Sequence, residues 1–529
     1  MKKAFLQTLL CLPLVGLSLQ AQAQNTPHVC GTTMQDQEAI RAKLDFNRAN
    51  KNELLERLAV RRDNGILYVP IQFHLAGASD GTGFLGLDQL WANMCRLNND
   101  YADQNIQFYL SDAPTYIAND LLYNNNGDRQ MAAYLMNIYK RPNTLNIFIG
   151  NVIGDISGIG GTTLGYYTAF PDIIYCIKGT INGTSKTLTH ELGHLFTLAH
   201  TFYGWEGTDY RQVIADNNGV TPDILVYGNE NILVEKVARP NSGTENCQLA
   251  ADGFCDTEPD YNFGFYAGGC SFNQDISDPD GVLIPRNSAS DNFMSYYNDA
   301  CTNKFSDEQK EAILLDIISR GFDRLPSPTE SAITAGPSYA WPSENEPAMN
   351  PLTQIRWATV ENATMYAVTL NRVTSTGALI SRLGEWATKD TSLWVTLPTT
   401  GTQYYTYTVR PINHLNFCNL NDVSITKEFT SLNYPVSVNE MANISSSKVY
   451  PNPSNRLAPV TIEMNTTDAT DVVISVVNTL GQSMMGRQNI TLLPGTNIES
   501  IDMSMLPAGM YFVNIESKQG RITHKLMLN

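Results

Sequence analysis

From residue 66 to residue 150 the apolar positions alternate between two periods. The run ILYVPIQFHLA (66–76) is almost continuously apolar, which predicts a buried strand. LDQLWANMCRLNNDYA (87–102) spaces its apolar residues at helical intervals, IQFYL (106–110) reads as a strand, DRQMAAYLMNIYK (128–140) as a helix and TLNIFIG (144–150) as a strand. Strands alternating with helices imply an α/β layer arrangement. GYYTAFP (165–171) predicts a further strand at a sheet edge. TSKTLTHELGHLFTLAH (184–200) predicts a helix with Ser185 as its cap, and SDEQKEAILLDIISRGF (306–322) a helix with a Ser cap and early acids.

The pattern changes at both flanks. Residues 24–62 are polar and helical in spacing, and end in Arg61-Arg62. Residues 204–290 are rich in Asp, Asn, Gly and Pro, which predicts a loop-dominated subdomain. LPSPTE (325–330) breaks the last helix and marks a linker near 325–335. Beyond it come TQIRWATV, MYAVTLNRV, SLWVTL and YYTYTVRPI, short alternating strands that predict a β-sandwich over 337–432. A second all-β module follows over 436–529. The predicted order is a leader (1–23), a pro-segment (24–62), a mixed α/β (α+β) domain (63–325) and two sandwiches.

Length supports several domains, because single cores stop growing at roughly 250–300 residues and this chain has 529. A formal charge of −17 argues against nucleic acid, whose binders need clustered Lys and Arg. Met1-Lys2-Lys3, the apolar run from Ala4 to Leu19 and Ala21-Gln22-Ala23 together make a secretory signal peptide cleaved after Ala23. No later segment is long and apolar enough to span a membrane. Export permits disulfides. Cys11 leaves with the signal and eight cysteines remain, of which Cys247, Cys255, Cys270 and Cys301 cluster. Those four allow two bridges in three connectivities.

Three of the seven histidines fall within HELGHLFTLAH (190–200). On a helix His190 and His194 lie one turn apart on one face, so both imidazoles can reach one zinc ion at about 2.0–2.1 Å. Glu191 projects beside them as a general base for water activated by the metal. His200 adds a third nitrogen and leaves the fourth position open, which is the arrangement of a catalytic site rather than a closed structural one.

HELGHLFTLAH together with NFMSYY (292–297) resembles the metzincin metallopeptidases, with their HExxHxxGxxH and Met-turn. HELGHLFTLAHTF, CDTEPD and NFMSYYNDACTNKFSDEQ are similar to the pappalysin family and its cytophagalysin-like bacterial branch, over about residues 65–322. The resemblance implies that Met294 packs beneath the metal and that Tyr296 supports the transition state. It implies calcium at Asp252 and Thr257, with Asp256 nearby, and a pocket in which Asp299 favours a basic side chain after the scissile bond. One position departs from the pattern: Thr197 stands where the family has glycine, at a cost of roughly 1–2 kcal/mol if it turns left-handed. The resemblance also implies that Cys30, in VCGTT (29–33), blocks the zinc as a latency switch, released by cleavage near Arg61-Arg62. The competing reading pairs Cys30 with Cys95 or Cys176.

The strands of 337–432 are similar to fibronectin type III-like or immunoglobulin-like modules, which act as spacers or weak binding units. VYPNPS, NTLGQ, LPAGMYFVNI and HKLMLN resemble the C-terminal sorting domain of type IX secretion. The expectation is a monomeric, secreted or surface-attached zinc endopeptidase, made as a zymogen, that binds polypeptide substrates along GYYTAFP. A surface adhesin with a structural metal site is the rival reading. A peptidase using Glu206 or Glu230 as third ligand is another.

Overall fold

The computed structural model describes residues 28–59, 65–125, 129–154, 162–228, 230–237, 246–328, 331–343, 352–398, 402–431, 441, 443–454, 459–478, 484–485, 488–504, 506–517 and 520–528. The signal segment and Arg61-Arg62 lie outside the described residues.

The first half is built on a seven-stranded sheet. Its strands are β1 (His28–Cys30), β2 (Leu67–Gly77), β3 (Ile106–Leu110), β4 (Thr115–Ala118), β5 (Leu145–Gly150), β6 (Thr162–Thr168) and β7 (Ile173–Ile177). They run in the order β1-β6-β7-β5-β2-β3, with β4 also paired to β2. All eleven residues of β2 are buried, as a strand covered on both faces requires. The β6–β7 pair is antiparallel and the remaining pairs are parallel. The fold is the expected mixed α/β class.

Five helices bear on the argument: α1 (Met34–Ala49), α2 (Lys51–Ala59), α3 (Leu87–Asp100), α4 (Thr187–Leu195) and α5 (Asp307–Ser319). Helix α5 starts as expected, with Ser306 and Gln309 forming a capping box. Helix α4 does not. Lys186 holds the cap position without a side-chain bond, and Ser185 Oγ accepts from Thr187 N one residue upstream of it, at 3.3 Å.

The expectation of an edge strand at 165–171 needs correction, because β1 pairs in parallel with β6 and covers that edge. Helices α1 and α2 continue from β1 and pack on α5. Asp316 of α5 is fully buried and meets Lys43 Nζ at 2.8 Å, Asn47 Nδ2 at 3.1 Å and Arg320 Nε at 2.6 Å.

The cysteine cluster forms two bridges, Cys247–Cys255 and Cys270–Cys301. They staple the loop-rich region, which also contains a hairpin of Ile224–Tyr227 with Glu230–Leu233. A third bridge, Cys95–Cys418, was not foreseen. It removes the Cys30–Cys95 alternative, and Cys30 and Cys176 are both free thiols.

That third bridge also ties the first sandwich, expected as a spacer or weak binding unit, to the α/β half. Its sheets, of three and four strands, share one apolar core with the α/β half: Met365, Ala367, Ile412, Phe417 and Leu420 pack with Trp91, Met94 and Phe108. Glu385 accepts from Leu87 N at 2.7 Å, capping α3, whose own cap residue Gly86 has no side chain to do so. The rear sandwich has its own core, centred on Val460, Ile462, Val476 and Val513. Among the described residues no helix is long and apolar enough to cross a membrane.

Candidate metal centre

Helix α4 runs beneath β6 and presents His190 and His194 one turn apart. The chain then leaves the helix through Thr197, whose φ of 72° is left-handed, and this brings His200 back toward the other two. His190, His194, His200 and Cys30 are all buried, and each offers one ligand atom within 4.8 Å of the others.

The outer nitrogens fix which atoms face inward. His190 Nδ1 donates to Phe293 O at 2.7 Å and His194 Nδ1 to Leu198 O at 2.8 Å, while His200 Nδ1 lies 3.1 Å from Glu206 Oε1. Each imidazole therefore turns an unprotonated Nε2 to the centre. His190 Nε2 is buried with no partner, and the Nε2 atoms of His194 and His200 stand 3.1 Å apart. Two lone pairs facing each other at that distance repel unless a cation lies between them. Proton uptake is disfavoured, since burial pushes His190 down to about 4 and the other two well below the usual imidazole value. The donor set fits a zinc-type ion: three neutral nitrogens and one thiol.

Glu191 lies on the sheet side of this cluster, facing Gly165. A Cβ at Gly165 would stand 3.0 Å from Glu191 Cγ and Oε1 and 3.2 Å from Cys176 Sγ, so this glycine opens the space for the carboxylate. Burial pushes Glu191 up to about 8 and Cys30 well above the usual thiol value. A bound cation would lower both. Cys30 Sγ is 3.5 Å from Glu191 Oε2. The Cys30 backbone pins Tyr296, with Cys30 N donating to the phenol oxygen at 3.0 Å and that hydroxyl donating to Cys30 O at 3.2 Å.

The turn at 292–297 supports the cluster from below. A Cβ on Gly193 would meet Met294 Sδ at 2.3 Å, so Met294 packs directly against α4. Its carbonyl accepts from Thr201 N at 3.3 Å. Asp260, which the sequence reading passed over although it ends CDTEPD, is fully buried and accepts from Thr201 Oγ1 and Ser295 Oγ, both at 2.7 Å. It thereby ties the third histidine's segment to the turn.

Asp299 lines a pocket beside the cluster with His190, Glu191, Phe293 and Thr302, and accepts from Lys186 N at 3.1 Å. Asp252 accepts from Thr257 Oγ1 at 3.1 Å and Phe254 N at 3.1 Å, whereas Asp256 turns away to accept from Glu308 N at 2.8 Å. A residue absent from the sequence reading, Glu235, is buried near enough to Asp252 to feel its charge, and its Oε2 has no partner. Burial pushes Asp252 up to about 7 and Glu235 well above the usual range. Glu230 lies in the hairpin and takes no part in the histidine cluster.

Residues 448–529 match the secretion system C-terminal sorting domain family. The tail is a sorting domain. It implies the type IX secretion machinery and places the protein outside the cell or on its surface. An extracellular metalloprotease of Pyricularia oryzae is 28% identical over 212 residues, covering 36% of this chain and 70% of that protein. One of Neurospora crassa is 26% identical over 194 residues, covering 34% and 65%. A promirolysin variant from Tannerella forsythia aligns in structure at 17% identity and a TM-score of 0.35, over 56% of this chain and 96% of that one. The match begins at residue 448, and Met441 and Ile444 ahead of it pack in the same core as the matched residues.

Proposed function

We propose that this protein is a secreted zinc-dependent endopeptidase of the metzincin type, made as a zymogen. The observation that carries the reading is the convergence of three unprotonated Nε2 atoms beside a buried carboxylate, in a chain similar to two extracellular metalloproteases. His190, His194 and His200 would hold the zinc. A zinc ion at that point supplies Lewis-acid polarisation of the scissile carbonyl. Glu191 accepts a proton from the attacking water and hands it to the leaving amine. Tyr296, once free of the Cys30 backbone, donates its hydroxyl to the developing oxyanion. The substrate backbone pairs with the edge of β6 that β1 vacates, and its next side chain enters the pocket where Asp299 favours a basic group.

In the unprocessed chain Cys30 would supply the fourth donor, and β1 lies along the edge of β6 that the substrate would use. Processing removes both together. Calcium would sit beside Asp252 and Thr257, and the buried Glu235, whose Oε2 has no partner, would add a further oxygen. Calcium chelation is expected to lower the thermal midpoint, and Glu235→Gln to abolish that response.

The deciding test is cleavage of a diverse peptide library by chain processed after residue 62, beside Glu191→Ala in the same form. Wild-type cuts should fall by about 10²- to 10⁴-fold in the variant with zinc still bound. Equal inactivity of both proteins with zinc bound would instead mark a structural site and favour the adhesin.

A further inference from the structure

The three imidazoles are not held alike. His190 and His194 each use a main-chain carbonyl, at 2.7 and 2.8 Å, whereas His200 alone faces a carboxylate, Glu206 Oε1 at 3.1 Å. That carboxylate is itself fixed, because Oε2 accepts from Gly204 N at 2.7 Å. The five-residue turn between them closes through Tyr203 N to His200 O at 3.0 Å and Trp205 N to Phe202 O at 2.9 Å. Gly204, with φ of 98°, allows the tight path, and a Cβ there would stand 2.8 Å from Ile232 Cγ2. The His200 ring also stacks on Phe202, with centroids 4.5 Å apart. The Glu206 side chain is 13% exposed, so water competes little for it.

His200 is also the imidazole that reaches the centre by the most strained route, through left-handed Thr197. Such strain relaxes by swinging the following segment away unless the ring is restrained from outside. We propose that Glu206 is the positioning residue of the third imidazole: it accepts the Nδ1 proton and so holds the Nε2 lone pair on the point shared with His190 and His194. Glu206 thus stands behind the third ligand and is not one itself. Gln37 Nε2 lies 3.3 Å from the same nitrogen, but an amide NH2 only donates and cannot take the Nδ1 proton, which leaves Glu206 Oε1 as its acceptor, and Gln37 departs with the leading segment. The inference rests on reading the histidine cluster as a metal centre.

The test uses the full chain with Cys30→Ala, so that the thiol does not mask ligand effects, and compares Glu206, Glu206→Ala and Glu206→Gln. Zinc affinity is measured by competition with a chromogenic chelator, geometry by the absorption of the cobalt(II) form, and folding by the thermal midpoint of the metal-free protein. Glu206→Ala should weaken zinc binding by about 10- to 100-fold and alter the cobalt spectrum, the usual effect of losing such an outer partner. Glu206→Gln, whose amide oxygen still accepts, should lose less than about 10-fold, and the metal-free midpoints should agree. Unchanged zinc affinity and cobalt spectrum in Glu206→Ala would overturn the assignment. So would a metal-free midpoint that falls in step with affinity in both variants, which would mark a purely structural role. If the Glu206 parent binds no zinc, the metal-centre reading falls first and takes this one with it. A parent that binds zinc beside an equally tight Ala variant removes only the role of Glu206.

Discussion

At the residue scale, two backbone positions limit the site. Thr197 holds φ 72° with its hydroxyl buried and unpartnered, so Thr197→Gly is expected to stabilise the protein by about 1 kcal/mol, read by chemical denaturation. A loss of stability would mean that the threonine's packing outweighs its strain. Gly165 sits in the opposite situation, since its missing Cβ is the room Glu191 occupies. Gly165→Ala should lower kcat by about 10- to 100-fold by displacing the carboxylate, while the thermal midpoint stays close to wild type.

At the element scale, the leading segment is held by charge as well as by apolar contact. Arg41 donates to Ala251 O, and Arg48 to Gly253 O at 2.8 Å; these carbonyls flank Asp252. Replacing both arginines with alanine should speed proteolytic removal of the segment, followed by electrophoresis over time. Unchanged processing would assign the hold to Ile40, Leu44 and the Asp316 contacts. Helix α5 joins in through Arg320, which donates to Asp172 at 2.8 and 3.0 Å and to Leu195 O, at the end of α4, at 2.8 Å. Burial would raise the Asp172 carboxyl, but the Arg320 guanidinium outweighs it and holds it at about 2. A carboxyl depressed in the folded state gives stability that is complete above about pH 4 and is lost as pH falls toward 2. Thermal midpoints measured across that window should drop for wild type more steeply than for Asp172→Asn.

At the scale of the whole molecule, the α/β half and the first sandwich behave as one body, because they share a core and a bridge that spans 323 residues of sequence. Replacing Cys95 and Cys418 with serine should cost about 2–4 kcal/mol, measured by denaturation. Truncation ahead of the sandwich should do worse, since it bares Trp91 and its neighbours; binding of a hydrophobic dye would report it. A truncated protein that stays soluble and dye-free would show that the shared core is dispensable.

The elements were legible wherever spacing is local. A helix period puts His190 and His194 on one face, the box at Ser306 and Gln309 starts α5, and a continuous apolar run makes β2 a buried strand, all from neighbours within a few residues. The sorting tail was legible too, as an ordered set of short motifs. Glu235, Asp260 and Glu206 left no such signal, because each acts on a partner chosen by the path of a loop and not by spacing: Glu235 feels the charge of Asp252 seventeen residues on, and Glu206 meets His200 only because Gly204 allows the turn. The same holds for β1 on β6 and for Cys95 with Cys418, whose pairing depends on which surfaces the folded layers bring together. Residue chemistry and local period determined what kind of site this chain could build; long-range packing, which no local pattern encodes, decided which groups surround it.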